Sequence, residues 1–538
     1  MEAQVTPGRT AAGASPARFL ARHWLAVLLA AAGVLATAYT AWRLRERYVG
    51  DAAIYLSYAR NAADGHPFQF NVGDFSSGST SPLWSLLLAV PYLFGLGIGG
   101  AQAFAAAFAA LAFLATLLAA RRVSRSWTAA SVASLFVLGT MTTYAISLFE
   151  SGLVVTLCAL AVLAGVRVAE GWTDEGLSPR TLAPLVAVWA ALPLARPDAV
   201  LLVIAQAGTL FAFAPAGRRR AAPLLLAALA VAAIPSAAYF GYSLVELGTP
   251  STSSQERAFA LQEVAPHWIG PFYRSSVAIR DVVASPWVFG VVPALGGLVL
   301  LWRRRSARWL AVYCAAGLAG YIALLTFVAP TFIENTRYLL PVVPLVAVGA
   351  AYLLARARGT ALWLPALLAG LLAIGGSAAL ELRDRTDVLR SFDITKDEVF
   401  ERDVTTRIDR LAKPGDVVLS YEVQLRYFLR DDLEVLSSDG ITDGRVRQYQ
   451  DGPDLTAFLR RYKPRWWIAD QNTLARRFMR DSVLSRALLA FRADPGLRSA
   501  AFEGIRFDVI ARRRRPLPRG FGGWQMLFRL AYPTGQPG

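Results

Sequence analysis

SPLWSLLLAVPYLFGLGIGGAQAFAAAFAALAFLATLLAARR, residues 81–122, carries no charge until Arg121 and Arg122. How this stretch is read decides how the whole chain threads a bilayer. A membrane span needs about 20 apolar residues, so the run holds either two crossings, broken at the glycines between Gly95 and Gly100, or one. Basic residues are retained on the cytoplasmic side during insertion. Two crossings would put every later arginine cluster outside. One crossing puts them all inside: Arg121, Arg122 and Arg125, then Arg218, Arg219 and Arg220, then Arg303, Arg304, Arg305 and Arg308, then Arg356 and Arg358. Trp84, Pro91 and Tyr92 suit a segment lying in the membrane interface. Segment 81–97 is therefore expected to lie along the interface or dip in and return, and 101–120 to cross.

Eleven spans follow: 24–42, 101–120, 128–148, 151–167, 181–196, 198–215, 221–242, 284–302, 309–329, 338–355 and 361–380. They place the N-terminal segment 1–23 in the cytoplasm and everything after 380 outside. Arg18, Arg22 and His23 precede the first run without an obvious cleavage site, so that run is expected to stay as a span. Two features oppose the threading. Arg43, Arg45 and Arg47 follow the first span on the outer side, and the mildly acidic loop 168–180 falls inside; the later clusters outweigh both.

The composition agrees with a polytopic membrane protein carrying a polar tail. Of 538 residues, 55% are hydrophobic and 17% charged, against about 25% charged in a soluble domain. The net charge of +17 lies largely in short loops beside apolar runs, as topology requires, so no nucleic-acid partner is expected. Cys158 and Cys314 sit inside apolar stretches and read as small core residues. No two histidines stand at metal-ligand spacing, so no zinc site is expected.

The expected fold is an all-α polytopic membrane domain over 24–380, with interfacial helices in the first outer loop (43–100) and a second outer loop at 243–283, followed by a small α/β extracytoplasmic domain over 381–538. In that domain KDEVFERDVTTRIDRLAKPGD (396–416) reads as an amphipathic helix ending near Pro414 and Gly415. DVVLSYE, LEVLSS, RWWIAD and FDVIARR read as strands. RRRRPLPR (512–519) reads as a solvated basic extension, with attraction to acidic lipids or wall polymers as the functional alternative.

The first outer loop is the richest in chemistry: RLRERYVGDAAIYLSYARNAADGHPFQFNVGDFSSGSTSPLW, residues 43–84. Ile54, Tyr58 and Ala62 recur at four-residue spacing and Gly65 stops the helix. Asp51, at or before its first turn, either caps backbone amides or acts as a base. Arg196, Pro197 and Asp198 sit at a tight turn between two spans. Such charges either close the turn as a plain pair or line a water-filled cavity below the outer surface; the cavity is the expectation taken here. Glu150, at the outer end of the third span, either holds a substrate hydroxyl or meets solvent. Arg337 either binds an anion or snorkels at a span end. Trp268 and Tyr273 in the second outer loop either stack on a sugar or mark the membrane interface, which is preferred.

An acid after the first span, then Y-x-R-N (Tyr58, Arg60, Asn61), Gly65, F-N-x-G (Phe70, Asn71, Gly73) and T-S-P-L-W (Thr80 to Trp84), resembles the polyprenyl-phosphate-dependent membrane glycosyltransferases of the GT-C superfamily. The pattern is most similar to the arabinofuranosyltransferases of arabinogalactan and lipoarabinomannan and their relatives. F-E-S-G (Phe149 to Gly152), A-R-P-D (Ala195 to Asp198), R-Y-x-x-P (Arg337, Tyr338, Pro341) and S-D-G-I-T-D (Ser438 to Asp443) resemble further segments of that family, in order. Many members carry two adjacent acids at the first site; here the pair is Gly50 and Asp51.

The resemblance implies an inverting transfer from a polyprenyl-phosphate sugar, plausibly arabinofuranose, to an envelope glycan on the outer face of a bacterial inner membrane. Phosphate is already a good leaving group, so the reaction needs a carboxylate to take the acceptor proton and fixed positive charge beside the departing phosphate. Asp51 is the expected base, with Glu150 as the second catalytic carboxylate. Arg60, Arg196 and Arg337 are the phosphate candidates, because a guanidinium fork suits phosphate oxygens. Asn61, His66, Asp198 and Tyr338 are expected to bind substrate. No resident cofactor is expected; some superfamily members use a divalent ion, for which Asp51 and Glu150 would be the ligands. A non-catalytic glycolipid-binding subunit is the alternative, favoured by the single acid at position 51. A transporter fits less well, since no inverted repeat is present. The threading predicts that a cysteine placed at position 51 or 196 reacts with a membrane-impermeant reagent from the non-cytoplasmic side; labelling from the cytoplasm would reverse it.

Overall fold

The computed structural model describes residues 16–45, 47, 52–172, 178–214, 222–248, 287–327, 335–391, 394–420, 423–438, 455–469, 482–515 and 523–533. Asp51, residues 249–286 of the second outer loop with Trp268 and Tyr273, and the S-D-G-I-T-D stretch beyond Ser438 lie outside them.

Uncharged runs become helices because hydrocarbon offers no partner to backbone amides; each must be bonded within its own segment. The membrane domain comprises α1 (Pro16–Arg43), α2 (Ala52–Ala63), α3 (Pro82–Leu93), α4 (Gly97–Ser124), α5 (Trp127–Ile146), α6 (Ser151–Glu170), α7 (Pro179–Ala195), α8 (Val200–Ala212), α9 (Ala222–Leu247), α10 (Trp287–Arg303), α11 (Arg308–Phe327), α12 (Val343–Arg356), α13 (Trp363–Gly370) and α14 (Gly376–Ser391), the last two joined through a π turn at Leu371–Gly375. Among the described residues, eight helices are long and apolar enough to cross a membrane. Three shorter apolar helices, α7, α8 with its preceding turn, and α10, fall on the remaining expected spans. All eleven expected segments are thus helical. With 12 residues, α3 reaches only about 18 Å, too short for a hydrocarbon core of about 30 Å. It packs against α2 and α4, in keeping with a single crossing in residues 81–120.

The innermost helices are α5 and α12, while α1, α9 and α13–α14 expose most of their apolar surface. Helix α5 is apolar all round because α1, α4, α12 and α14 surround it, the pattern expected of a fully buried helix. Small residues permit this. A Cβ on Gly297 of α10 would lie 1.8 Å from the Gly349 carbonyl oxygen of α12, and one on Gly349 would lie 2.8 Å from the Ala294 oxygen. Such close backbone approach is how membrane helices gain packing energy.

The C-terminal domain, called the outer domain after its expected side, holds α15 (Ile394–Leu411), β1 (Val417–Ser420), β2 (Glu434–Ser437), α16 (Leu455–Tyr462), β3 (Trp466–Ala469), α17 (Val483–Ala493), β4 (Ser499–Phe502), β5 (Ile505–Arg515) and β6 (Gly523–Ala531). The strands form one sheet in the order β2-β1-β3-β6-β5-β4. β1 is parallel to β2 and β3, and the other pairings are antiparallel. The four expected strands are present. β4 and β6 are additions, and Arg512 to Arg515 are not an extension but the end of β5, paired with residues 523–526 of β6. The expected domain boundary at 381 falls inside α14, a helix continuous with the last membrane segment.

Helix α2 belongs to two cores at once. Ala52, Ala53, Tyr55, Leu56 and Ala59 join the membrane-domain core. Ile54 and Tyr58, one turn apart, join Phe70, Val404, Ile408, Val418 and Trp466 in a core beneath the sheet. A third core, with Trp467, Phe507 and Phe528, lies on the sheet's other face under α16 and α17. Replacing Gly297 by Ala is expected to push α10 off α12 and cost about 1–3 kcal/mol, the usual penalty of overpacking; thermal unfolding of the detergent-solubilised protein checks it.

Candidate functional site

Helix α6 separates two chemically different ends. At its C-terminal end Glu170 pairs with Arg122 of α4, and Arg121 feels the charges of Arg122, Arg125 and Arg358. At its N-terminal end, about 30 Å away for 20 residues, sits Glu150. Arg121, Arg122, Arg125 and Arg358 and the candidate site thus lie at opposite ends of α6.

The approach to Glu150 is a tight turn. Leu148 takes a left-handed backbone (φ +70°), unusual for a branched side chain, and its carbonyl accepts the Trp84 indole N–H at 2.8 Å. Arg196 is extended (φ −158°, ψ 125°) because Pro197 disfavours helix in the residue before it. That break turns the Arg196 side chain inward. Its Nε and Nη2 donate to both oxygens of Asp198 at 3.0 and 3.2 Å, and its Nη1 donates to Glu150 Oε1 at 3.0 Å. Arg196 and Glu150 are 7% and 4% exposed, so the pair is desolvated. Glu150 Oε2 accepts the Tyr55 hydroxyl of α2 at 2.9 Å, and that hydroxyl is also 2.7 Å from Thr80 Oγ1. Burial, and then the Glu150 carboxylate, hold Tyr55 well above the ordinary tyrosine pKa, so it keeps its proton and donates.

A second guanidinium stands beside this group. Arg337 lies 4.6 Å over the Phe149 ring and 5.5 Å over Tyr338, whose ring also lies 5.1 Å from the Arg196 guanidinium. Arg337 also reaches Tyr55 electrostatically. The 3-10 turn at Asn335–Val342 supplies both Arg337 and Tyr338. Tyr321 of α11 lies in the field of Asp198 and Arg196. Glu150, Asp198, Arg196 and Arg337 sum to zero charge, an arrangement that tolerates burial.

Of the residues expected from sequence, the structure brings together Glu150, Arg196, Asp198, Arg337 and Tyr338. It places three others elsewhere, at the far end of α2 against the outer domain. Arg60 donates to the Tyr427 carbonyl and pairs with Asp431 at 2.8 Å. The Asn61 side chain holds the Gln69 and Phe70 carbonyls. His66 begins the loop after Gly65. Next to them Asn71 exchanges two hydrogen bonds with the Val435 backbone, each 2.9 Å, and fully buried Arg426 donates to the Phe70 carbonyl. Sequence reading gives Tyr55 no part, and it names Thr80 and Phe149 only within motifs, without a role. The one signal for Tyr55 is its four-residue spacing from Asp51, which is that of one helix face. Among the described residues, no three acidic, histidine or cysteine side chains converge on one point. Both oxygens of Glu150 and of Asp198 already accept hydrogen bonds, three of these four from Arg196.

By sequence, no family model and no curated protein matches the chain. By structure, it superposes on ArnT from Cupriavidus metallidurans with TM-score 0.58 at 16% identity, over 94% of this chain and 98% of that one. The ArnT structure bound to undecaprenyl phosphate gives 0.57 at 15% identity, with the same coverage. The archaeal oligosaccharyltransferase AglB from Archaeoglobus fulgidus, in complex with an inhibitory peptide and a dolichol-phosphate, gives 0.53 at 13% identity, over 85% of this chain and 70% of that one. The fold is the GT-C fold. The resemblance drawn from the ordered motifs is met at this level, and with it the expected multi-pass membrane domain and mixed outer domain. Arabinofuranosyltransferase AftD from Mycobacteria aligns at 0.47 with 16% identity, over 94% of this chain and 40% of that one, too loosely to bear on the sugar.

Within this GT-C fold, Arg196 is the cation on which buried Glu150 and half-buried Asp198 depend. Arg196→Ala is expected to cost about 3–5 kcal/mol, because the buried Glu150 carboxylate would lose its cation. Adding Glu150→Gln should recover part of the loss, since the two positions touch and are non-additive. Unfolding of the two single variants and the double variant measures both effects.

Proposed function

We propose that the chain is an inverting glycosyltransferase that takes a sugar from a polyprenyl-phosphate donor. It transfers that sugar to a cell-envelope glycan at the non-cytoplasmic face of a bacterial inner membrane, with arabinofuranose as the sugar. The observation that carries this is the buried Tyr55–Glu150–Arg196–Asp198 network with Arg337 beside it, in a GT-C bundle, at the end of α6 opposite Arg121, Arg122, Arg125 and Arg358. ArnT, whose fold it shares, is known bound to undecaprenyl phosphate, and AglB in complex with dolichol-phosphate.

In this mechanism the acceptor hydroxyl oxygen attacks the anomeric carbon. The bond from that carbon to the phosphate oxygen breaks, and its electron pair leaves on the polyprenyl phosphate. Asp51, which directly precedes α2, takes the hydroxyl proton. Arg337 faces the departing phosphate, where negative charge grows; its guanidinium rests on aromatic faces, which keep it dry and oriented. Arg196 acts through others, holding Glu150 and Asp198 in place. Each carboxylate oxygen has a second lone pair, so Glu150 can accept a substrate hydroxyl while keeping Tyr55 and Arg196. Arg60 serves a different purpose in this reading, fixing the end of α2 to the outer domain, while Asn61 ties down the loop that follows the helix.

Asp51→Asn is expected to lower transfer of radiolabelled sugar from its polyprenyl phosphate by at least about 100-fold, the lower range for a lost general base, with unfolding unchanged. Near-normal transfer would remove Asp51 as the base. Donor binding without turnover by the unaltered protein would instead make it a non-catalytic glycolipid-binding component.

A further inference from the structure

The outer domain carries a concavity of about 520 Å³ at the end of the sheet where β1 and β3 begin. Its volume is that of an ordinary small-molecule site, and its walls are cationic. Lys463, Arg465, Arg506 and Arg529 line it, with Tyr462 and one carboxylate, Asp416. Trp466, Arg529, Asp508 and Ser499 stand opposite one another across β3, β6, β5 and β4. Facing partners share a sheet face, and Trp466 belongs to the core that packs on α2 and α15. The cationic wall therefore continues the face by which the domain sits on the first outer loop.

The cations are under-neutralised. Arg506 and Arg529 share the single Asp508 carboxylate, at 3.1 and 3.6 Å, and Ser499 already donates to that carboxylate at 2.7 Å. Asp416 accepts the Lys413 amide at 2.9 Å and the Trp466 indole at 3.2 Å, leaving Arg465 a long contact of 3.5 Å. Lys463 has no ion-pair partner among the described residues. Its backbone is also informative. It follows α16 with φ +43° and its amide bonds back to Leu459, the helix-ending position that favours glycine. A lysine there accepts backbone strain and in return sets an ammonium at the rim.

We propose that this pocket binds an anionic sugar unit, one bearing a carboxylate or phosphate. Guanidinium forks suit both oxygen acids. That the occupant is a saccharide rests on the glycosyltransferase function proposed above; that it is an anion rests on the pocket alone. The bound unit would be part of the acceptor, held away from the transfer site so that a longer chain reaches Glu150.

The test is calorimetric titration of the full-length protein in detergent, without donor, using trigalacturonate, neutral maltotriose and inorganic phosphate. Trigalacturonate is expected to bind and to weaken as salt is raised; maltotriose should give no heat, and phosphate should bind at least about tenfold more weakly, having one anionic group and no ring. Arg506→Ala with Arg529→Ala should weaken trigalacturonate about tenfold or more. Both positions are surface residues, but Lys463→Gly guards against a folding artefact: it relieves the left-handed strain, so the melting temperature should hold or rise while binding falls. Absent trigalacturonate binding, binding that survives these substitutions, or phosphate binding as tight as the saccharide would each overturn the proposal. Because no donor is present, any of these results leaves the transfer reaction to be judged separately.

Discussion

The structure depends on a twelve-residue helix that has no solvent side. Helix α2 is apolar or small at nearly every position, and both of its long faces are covered, one by membrane helices and one by the outer sheet. Tyr55 and Tyr58 show the consequence. Three residues apart, they enter different cores, and each hydroxyl finds a buried partner: Glu150 and Thr80 for Tyr55, Ser76 for Tyr58. A buried hydroxyl without a partner would cost about 1–3 kcal/mol, so these bonds fix the rotation of the helix.

The second constraint is charge. Two carboxylates and two guanidinium groups meet where a chain break at Pro197 and a left-handed turn at Leu148 converge. The left-handed Leu148 is not a favourable local conformation, whereas the extended Arg196 is the one its proline imposes. Buried ion pairs seldom add much net stability, so the network is better understood as geometry. It holds oxygen acceptors and a positive field in a fixed arrangement before any substrate arrives. Preorganisation of this kind is what electrostatic catalysis requires.

Much of this was legible in the sequence, for physical reasons. Arginine clusters and uncharged runs report directly on membrane insertion, so the eleven helical segments and the short apolar segment that forms α3 could be read from residues 24–380. The acids and arginines of the site could be read because charge at a tight turn between two apolar spans is rare. Pairings between distant residues could not. Arg60 stands in a motif beside Asn61, yet its partner Asp431 is 371 residues away. Tyr55 meets Glu150 across 95 residues. β6 escaped notice because Gln525 to Phe528 are buried in succession, which removes the alternation that marks a half-exposed strand. Arg512 to Arg515 looked like a solvated tail because four adjacent charges suggest no strand until their β6 partners are known.

The shared helix also limits how such a protein can be rearranged over evolutionary time. Ile54, Tyr58 and Phe70 form part of the floor beneath the sheet, and Asn71 completes the backbone bonding of β2. A foreign module grafted after the last membrane helix would have to reproduce that floor and that edge, or leave greasy side chains open to water. Diversification of the outer half is therefore confined to the strand ends and loops that face away from α2, while the seam itself resists exchange.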